Sequence, residues 1–89
     1  MLFRSVCGIE AHVCVLQTTL DLLAGGRQVF LATDCISASQ PAQVPHAFER
    51  MRRAGAVPSG ALSAIYELMG DAAHPAFKTC LEMVKGLRA

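Results

Sequence analysis

One cysteine stands where a strand pattern gives way to a helical one, and it is the side chain of this 89-residue protein best placed for nucleophilic chemistry. Leu16, Leu20 and Leu23 recur at helical spacing from about Val13, so Cys14 falls at the start of a helix. There the dipole and the unpaired N–H groups favour thiolate over thiol. A nucleophile on a strand-to-helix turn also lies at the carboxyl edge of a sheet, where open α/β folds bind ligands. The competing reading makes Cys14 a small buried hydrophobe, as most free cysteines are. His12 is only two residues away, so on a helix its side chain points elsewhere; it reads as a first-turn or solvent-facing histidine. Asp34 closes the next strand and shares that sheet edge, as a pocket residue or as a loop cap. His46 and His74 read as surface or capping residues.

Those positions require elements to carry them. A β-prone run from Phe3 to Ile9 leads through a turn into a helix over Val13–Ala24, which Gly25 and Gly26 stop. Val29-Phe30-Leu31-Ala32 forms the heart of a second strand, Gln28–Thr33, apolar enough to be covered on both faces, as parallel strands are. The helix between them then makes a right-handed crossover. A second helix starts near Pro45, with Val44, Phe48 and Met51 inward and Glu49, Arg50, Arg52 and Arg53 in water. A short third strand, Ala56–Pro58, belongs at an edge because proline cannot donate to a ladder. Helices follow over Gly60–Met69 and from Pro75, the last burying Phe77, Cys80 or Leu81, and Val84. Alternating strands and helices give an α/β class with a parallel sheet, in one domain.

Composition narrows the functions. Hydrophobic residues make up 53% of the chain and charged ones 17%, against roughly 25% charged in ordinary globular proteins. That balance fits either a piece whose apolar faces expect a partner or an alanine-rich compact domain. The first alternative predicts self-association, or pairing with the rest of a larger sheet. A net charge of +1 argues against a nucleic-acid binder. Cys7, Cys14, Cys35 and Cys80 show neither a CxxC pair nor zinc-like spacing, so no metal or cofactor is expected. They read as reduced thiols of an intracellular protein, cytosolic or mitochondrial. No apolar run approaches the roughly 20 residues that span a bilayer, and Met1-Leu2-Phe3-Arg4 lacks the core of a secretory signal.

The segment Gly8-Ile9-Glu10-Ala11-His12-Val13-Cys14-Val15, with Gln17-Thr18-Thr19 and Asp21-Leu22-Leu23, resembles the nucleophile region of the isochorismatase-like cysteine hydrolases. The resemblance is greatest to the isochorismatase domain-containing proteins. It continues through Val29–Asp34 and Met51-Arg52-Arg53-Ala54-Gly55-Ala56 to Gly70-Asp71-Ala72-Ala73-His74-Pro75-Ala76-Phe77-Lys78. It implies the second half of a doubly wound three-layer α/β/α domain, residues 1–89 forming a partial one. It further implies Cys14 as nucleophile toward a small-molecule amide or related bond. The backbone N–H groups of Glu10 and Cys14 would form an oxyanion hole, with a cis peptide between Ile9 and Glu10. The family's catalytic Asp and Lys precede the cysteine, and neither type occurs among the thirteen residues before Cys14. The resemblance therefore implies a nucleophile-bearing part that is inactive alone, or else a non-catalytic packing module.

Overall fold

Strand β2, Gln28–Ile36, is the middle strand of the molecule. The computed structural model describes residues 3–87; Met1 and Leu2, at the head of the stretch read for a targeting signal, lie outside them. Strands β1 (Phe3–Gly8) and β3 (Val57–Ser59) flank β2, both parallel to it. Parallel neighbours need crossover connections. Helix α1 (Leu16–Ala24) joins β1 to β2, and α2 (Val44–Arg53) joins β2 to β3. Helices α3 (Ala61–Met69) and α4 (Phe77–Gly86) complete a mixed α/β fold.

The apolar run in β2 supplies the floor of the core. Val29, Leu31 and Ile36 are buried together with Ala11, Val15, Leu16, Ala47, Met51 and Ala56. Met51 is fully buried, with Val44 and Phe48 packed against the cluster. On α1 the inward face differs in detail from the leucine stripe of the sequence. Leu16 and Thr19 are its buried residues, while Leu20, Leu22 and Leu23 are half-buried. Positions three and four apart share a helix face, and Thr19 takes the deeper one. Outside, Arg52 and Arg53 both donate to the Glu49 carboxylate at 2.7–3.1 Å. Those bonds hold its pKa down to about 2.

Element ends depart from the sequence reading where tertiary contacts override local preference. β2 continues beyond Thr33 to Ile36 because Ile36 pairs with Gly8 and the Ser37 N–H donates to the Gly8 carbonyl. Pairing of this kind outweighs the poor strand preference of Asp34. The register jumps from Val6 opposite Leu31 to Gly8 opposite Ile36. Gly8 sits at φ +115°, a backbone conformation that favours glycine at such a bulge. β3 begins one residue late, at Val57, and as an edge strand it tolerates Pro58. The last helix starts at Phe77 instead of Pro75. Ahead of it, Asp71 accepts from the Ala73 N–H, and His74 Nδ1 from the Ala76 N–H, in turns that do not propagate as helix.

Met51→Ala should lower stability by about 2–5 kcal/mol, the usual cost of emptying a buried methionine site. Met83→Ala, at a side chain 68% exposed, should change it by less than about 0.5 kcal/mol. Urea unfolding of the two variants measures both, and equal effects would contradict a core centred on α2 and β2.

Candidate functional site

The chain leaves β1 at Gly8 and enters helix through Ile9 and Glu10, whose peptide bond is cis. The first helical turn, Ala11–Val15, is a π turn. The Val15 N–H reaches five residues back to the Glu10 carbonyl at 3.1 Å, and the Val13 N–H donates to the same oxygen at 3.2 Å. The amides on either side of Cys14 therefore converge on one acceptor. Ala11 and Val15 point into the core, while Cys14 is exposed. Helical structure begins two residues before the expected Val13, so Cys14 lies late in a first turn that runs straight into α1. The reading of Cys14 as a buried hydrophobe does not describe this thiol.

A second segment, the loop after β2, fixes that turn from the side. The Ala11 N–H donates to the Ser37 carbonyl at 2.9 Å. The Ser39 N–H reaches both Glu10 carboxylate oxygens at 3.1 Å, and the Ser39 hydroxyl donates to one of them at 2.8 Å. These bonds, the hydroxyl foremost, hold the Glu10 carboxyl below its ordinary range; the charge of His12 adds a little, and partial desolvation opposes it. Glu10 is thus an anchored anion. Ser37 and Ser39 were missed in the sequence because they lie far along the chain from their partners, and no local motif links them.

Asp34 lies near the end of β2, on the carboxyl edge that also carries the π turn. Its Oδ1 accepts from the Ala61 N–H at 2.8 Å. That N–H opens α3, whose own N-cap residue Gly60 provides no side-chain acceptor. A carboxylate there satisfies an orphan donor and complements the dipole. Beside it the Thr33 hydroxyl donates to the Ser59 carbonyl at 2.7 Å. The capping role foreseen for Asp34 is the one observed, applied to a helix instead of a loop. His12 does fall in the first turn but is half-buried, its Nδ1 shut from solvent without a partner among the described residues. His46 is exposed. No group of three or more His, Cys, Asp or Glu among the described residues could hold a metal ion. No helix among them is long and apolar enough to cross a membrane.

The first strand of a parallel α/β sheet here delivers an exposed cysteine into a helical turn at its carboxyl end. Residues 5–61 match the Isochorismatase domain, and the chain belongs to that family. Over 84 residues it is 45% identical to human isochorismatase domain-containing protein 2, covering 92% of this chain and 41% of that one. Over 80 residues it is 45% identical to the secreted isochorismatase effector Isc1 of Phytophthora sojae, covering 90% of this chain and 38% of the effector. Among solved structures, the MAR1 ribonuclease from Caenorhabditis elegans superposes with a TM-score of 0.84 at 40% identity, over 90% of this chain and 42% of that one. The chain thus spans about two-fifths of the length of the relatives it matches.

The Glu10–Ser39 tie makes a pH prediction. A carboxyl whose pKa is lowered by folding contributes stability above its unfolded value and loses that contribution as pH falls through its folded value. Ser39→Ala should therefore be less stable than the native chain at neutral pH. The difference should shrink as the solution is acidified through and below the ordinary carboxylate range. Paired urea titrations across that range check it; a difference independent of pH would mean that Ser39 acts through packing alone.

Proposed function

We propose that this chain is the nucleophile-bearing part of an isochorismatase-like cysteine hydrolase acting on a small-molecule amide or related bond. One observation carries the reading: the exposed Cys14 thiol in the π turn that follows the Ile9–Glu10 bond. Cys14 Sγ attacks the acyl carbon, the bond to the leaving nitrogen breaks, and a thioester remains for water to hydrolyse. The N–H groups of Glu10 and Cys14 stabilise the oxyanion. Attack and collapse both need a group that takes and returns a proton. Glu10 is held by Ser39 and Asp34 by the start of α3, so neither residue serves. In this reading the proton is handled by an Asp, supported by a Lys, from polypeptide outside these 89 residues. The polypeptide alone is inactive, and its compartment is intracellular.

A second reading, a non-catalytic packing module, draws on the exposed apolar residues of the later helices. Leu68 and Met83 are 67% and 68% exposed, and β1 is an edge strand among the described residues. The same features support self-association, or pairing with the remainder of a family domain, in either reading. The word ribonuclease in the name of the worm structure raises RNA as a rival substrate. Against it, two of the three arginines of α2, Arg52 and Arg53, pair with Glu49.

The 89-residue chain should show no measurable hydrolysis of simple amides, since general acid–base catalysis alone typically contributes about 10²–10⁴-fold. Cys14 should nevertheless be alkylated faster than the half-buried Cys80. A separate polypeptide carrying the family's Asp and Lys should restore turnover that Cys14→Ala abolishes. Formation of that complex with no turnover would favour the packing module. Robust hydrolysis by the chain alone would overturn the need for an external base.

A further inference from the structure

Two more cysteines lie near the same sheet edge, and the hydrolase reading uses neither. Cys7 is in β1 and Cys35 in β2, and both are exposed. Gly8 pairs with Ile36 across the register shift, so the residues just before them, Cys7 and Cys35, lie on neighbouring stretches of adjacent strands, near enough for the Cys7 sulfur to act on the Cys35 thiol. Val6 packs against the core cluster, and Ile36 belongs to it. Each thiol stands next to one of those inward side chains and is itself exposed, which sets both away from the core. Strands of a regular ladder lie about 4.8 Å apart, and a disulfide bridges Cα atoms roughly 4.4–6.8 Å apart, so a small adjustment at the bulge brings the two thiols into range. We propose that Cys7 and Cys35 are a dithiol modification site, which low-molecular-weight disulfides convert reversibly into an intrachain disulfide.

The steps balance as ordinary thiol–disulfide exchange. The Cys7 thiolate attacks one sulfur of the small disulfide, forming a mixed disulfide and releasing one small thiolate. Cys35 then gives up its proton and attacks Cys7 Sγ, releasing the second. Two protein thiols are oxidised and one small disulfide is reduced to two thiols. The roles follow from surroundings. Desolvation first, then the Asp34 carboxylate and the Cys7 sulfur, push the Cys35 thiol above its ordinary range, and a hydrogen bond to Asp34 adds to this. Cys35 is therefore the slower thiol toward an external disulfide and acts as the resolving one, its proximity making up for its reluctance to ionise.

The test uses the full chain carrying Cys14→Ala, incubated with oxidised glutathione and digested with trypsin without reduction. The expected product joins the peptide containing Cys7 to the one containing Cys35, lighter by two hydrogens than their sum and free of glutathione. A reducing agent should return the separate peptides, and Cys35→Ser should abolish the joined species. Digestion of the native chain, with fragmentation to locate the bond, gives the same answer should the Cys14 variant fold poorly. Glutathione adducts on both cysteines, no modification of either, or a bond from Cys35 to Cys14 or Cys80 would each overturn the proposal.

Discussion

Two loops that emerge from adjacent parallel strands are laced together, and the presentation of Cys14 depends on that lacing. The Ser37 N–H donates back to Gly8, the Ala11 N–H donates forward to Ser37, and Ser39 grips the Glu10 carboxylate with its amide and its hydroxyl. The Gly8 carbonyl and the Ala11 N–H lie at the end of β1 and the start of the π turn, and without these partners they would have to find water. The lacing stretches β2 as far as Ile36 and fits the bulge at Gly8. It also seats Ala11 and Val15 in the core. Once those two side chains are buried, the intervening Cys14 is left facing solvent.

The same edge shows how acidic side chains become structural. Glu10 and Asp34 both stand where a hydrolase could use a base, and each is occupied by a backbone N–H: that of Ser39 for Glu10 and that of Ala61 for Asp34. The first ties the Cys14 turn to the loop after β2, and the second ties β2 to the start of α3. Both brace the carboxyl edge of the sheet, which is where open α/β folds place their ligands. Two carboxylates committed to bracing in this way keep that edge in one arrangement.

What the sequence made legible was what repeats at short range. The apolar run Val29–Ala32 could hardly be anything but a central strand, and it is the one that carries the core. Pro58 identified an edge strand correctly, since only there can its missing N–H be tolerated. The cysteine on its turn was legible from a strand pattern changing to a helical one. What escaped was set by distant partners. Nothing local marks a π turn, because its bond from Val15 to Glu10 leaves no side-chain period. The second strand reads as closing at Asp34 until Gly8 is seen to pair with Ile36. Thr19 was hidden among leucines by its polarity, though its place on α1 points inward.

Amide hydrogen exchange tests most directly whether this lacing holds the turn that bears Cys14. In the native chain the amides of Ala11, Ser37 and Ser39 donate to defined acceptors, so they should exchange far more slowly than open loop amides. They should also open together, and Ser39→Ala should speed Ala11 and Ser37 while leaving Leu31 in the centre of β2 protected. Exchange of Ala11 and Ser37 at open-chain rates, with Leu31 still protected, would contradict the account: the turn bearing Cys14 would then be held by something other than the loop after β2.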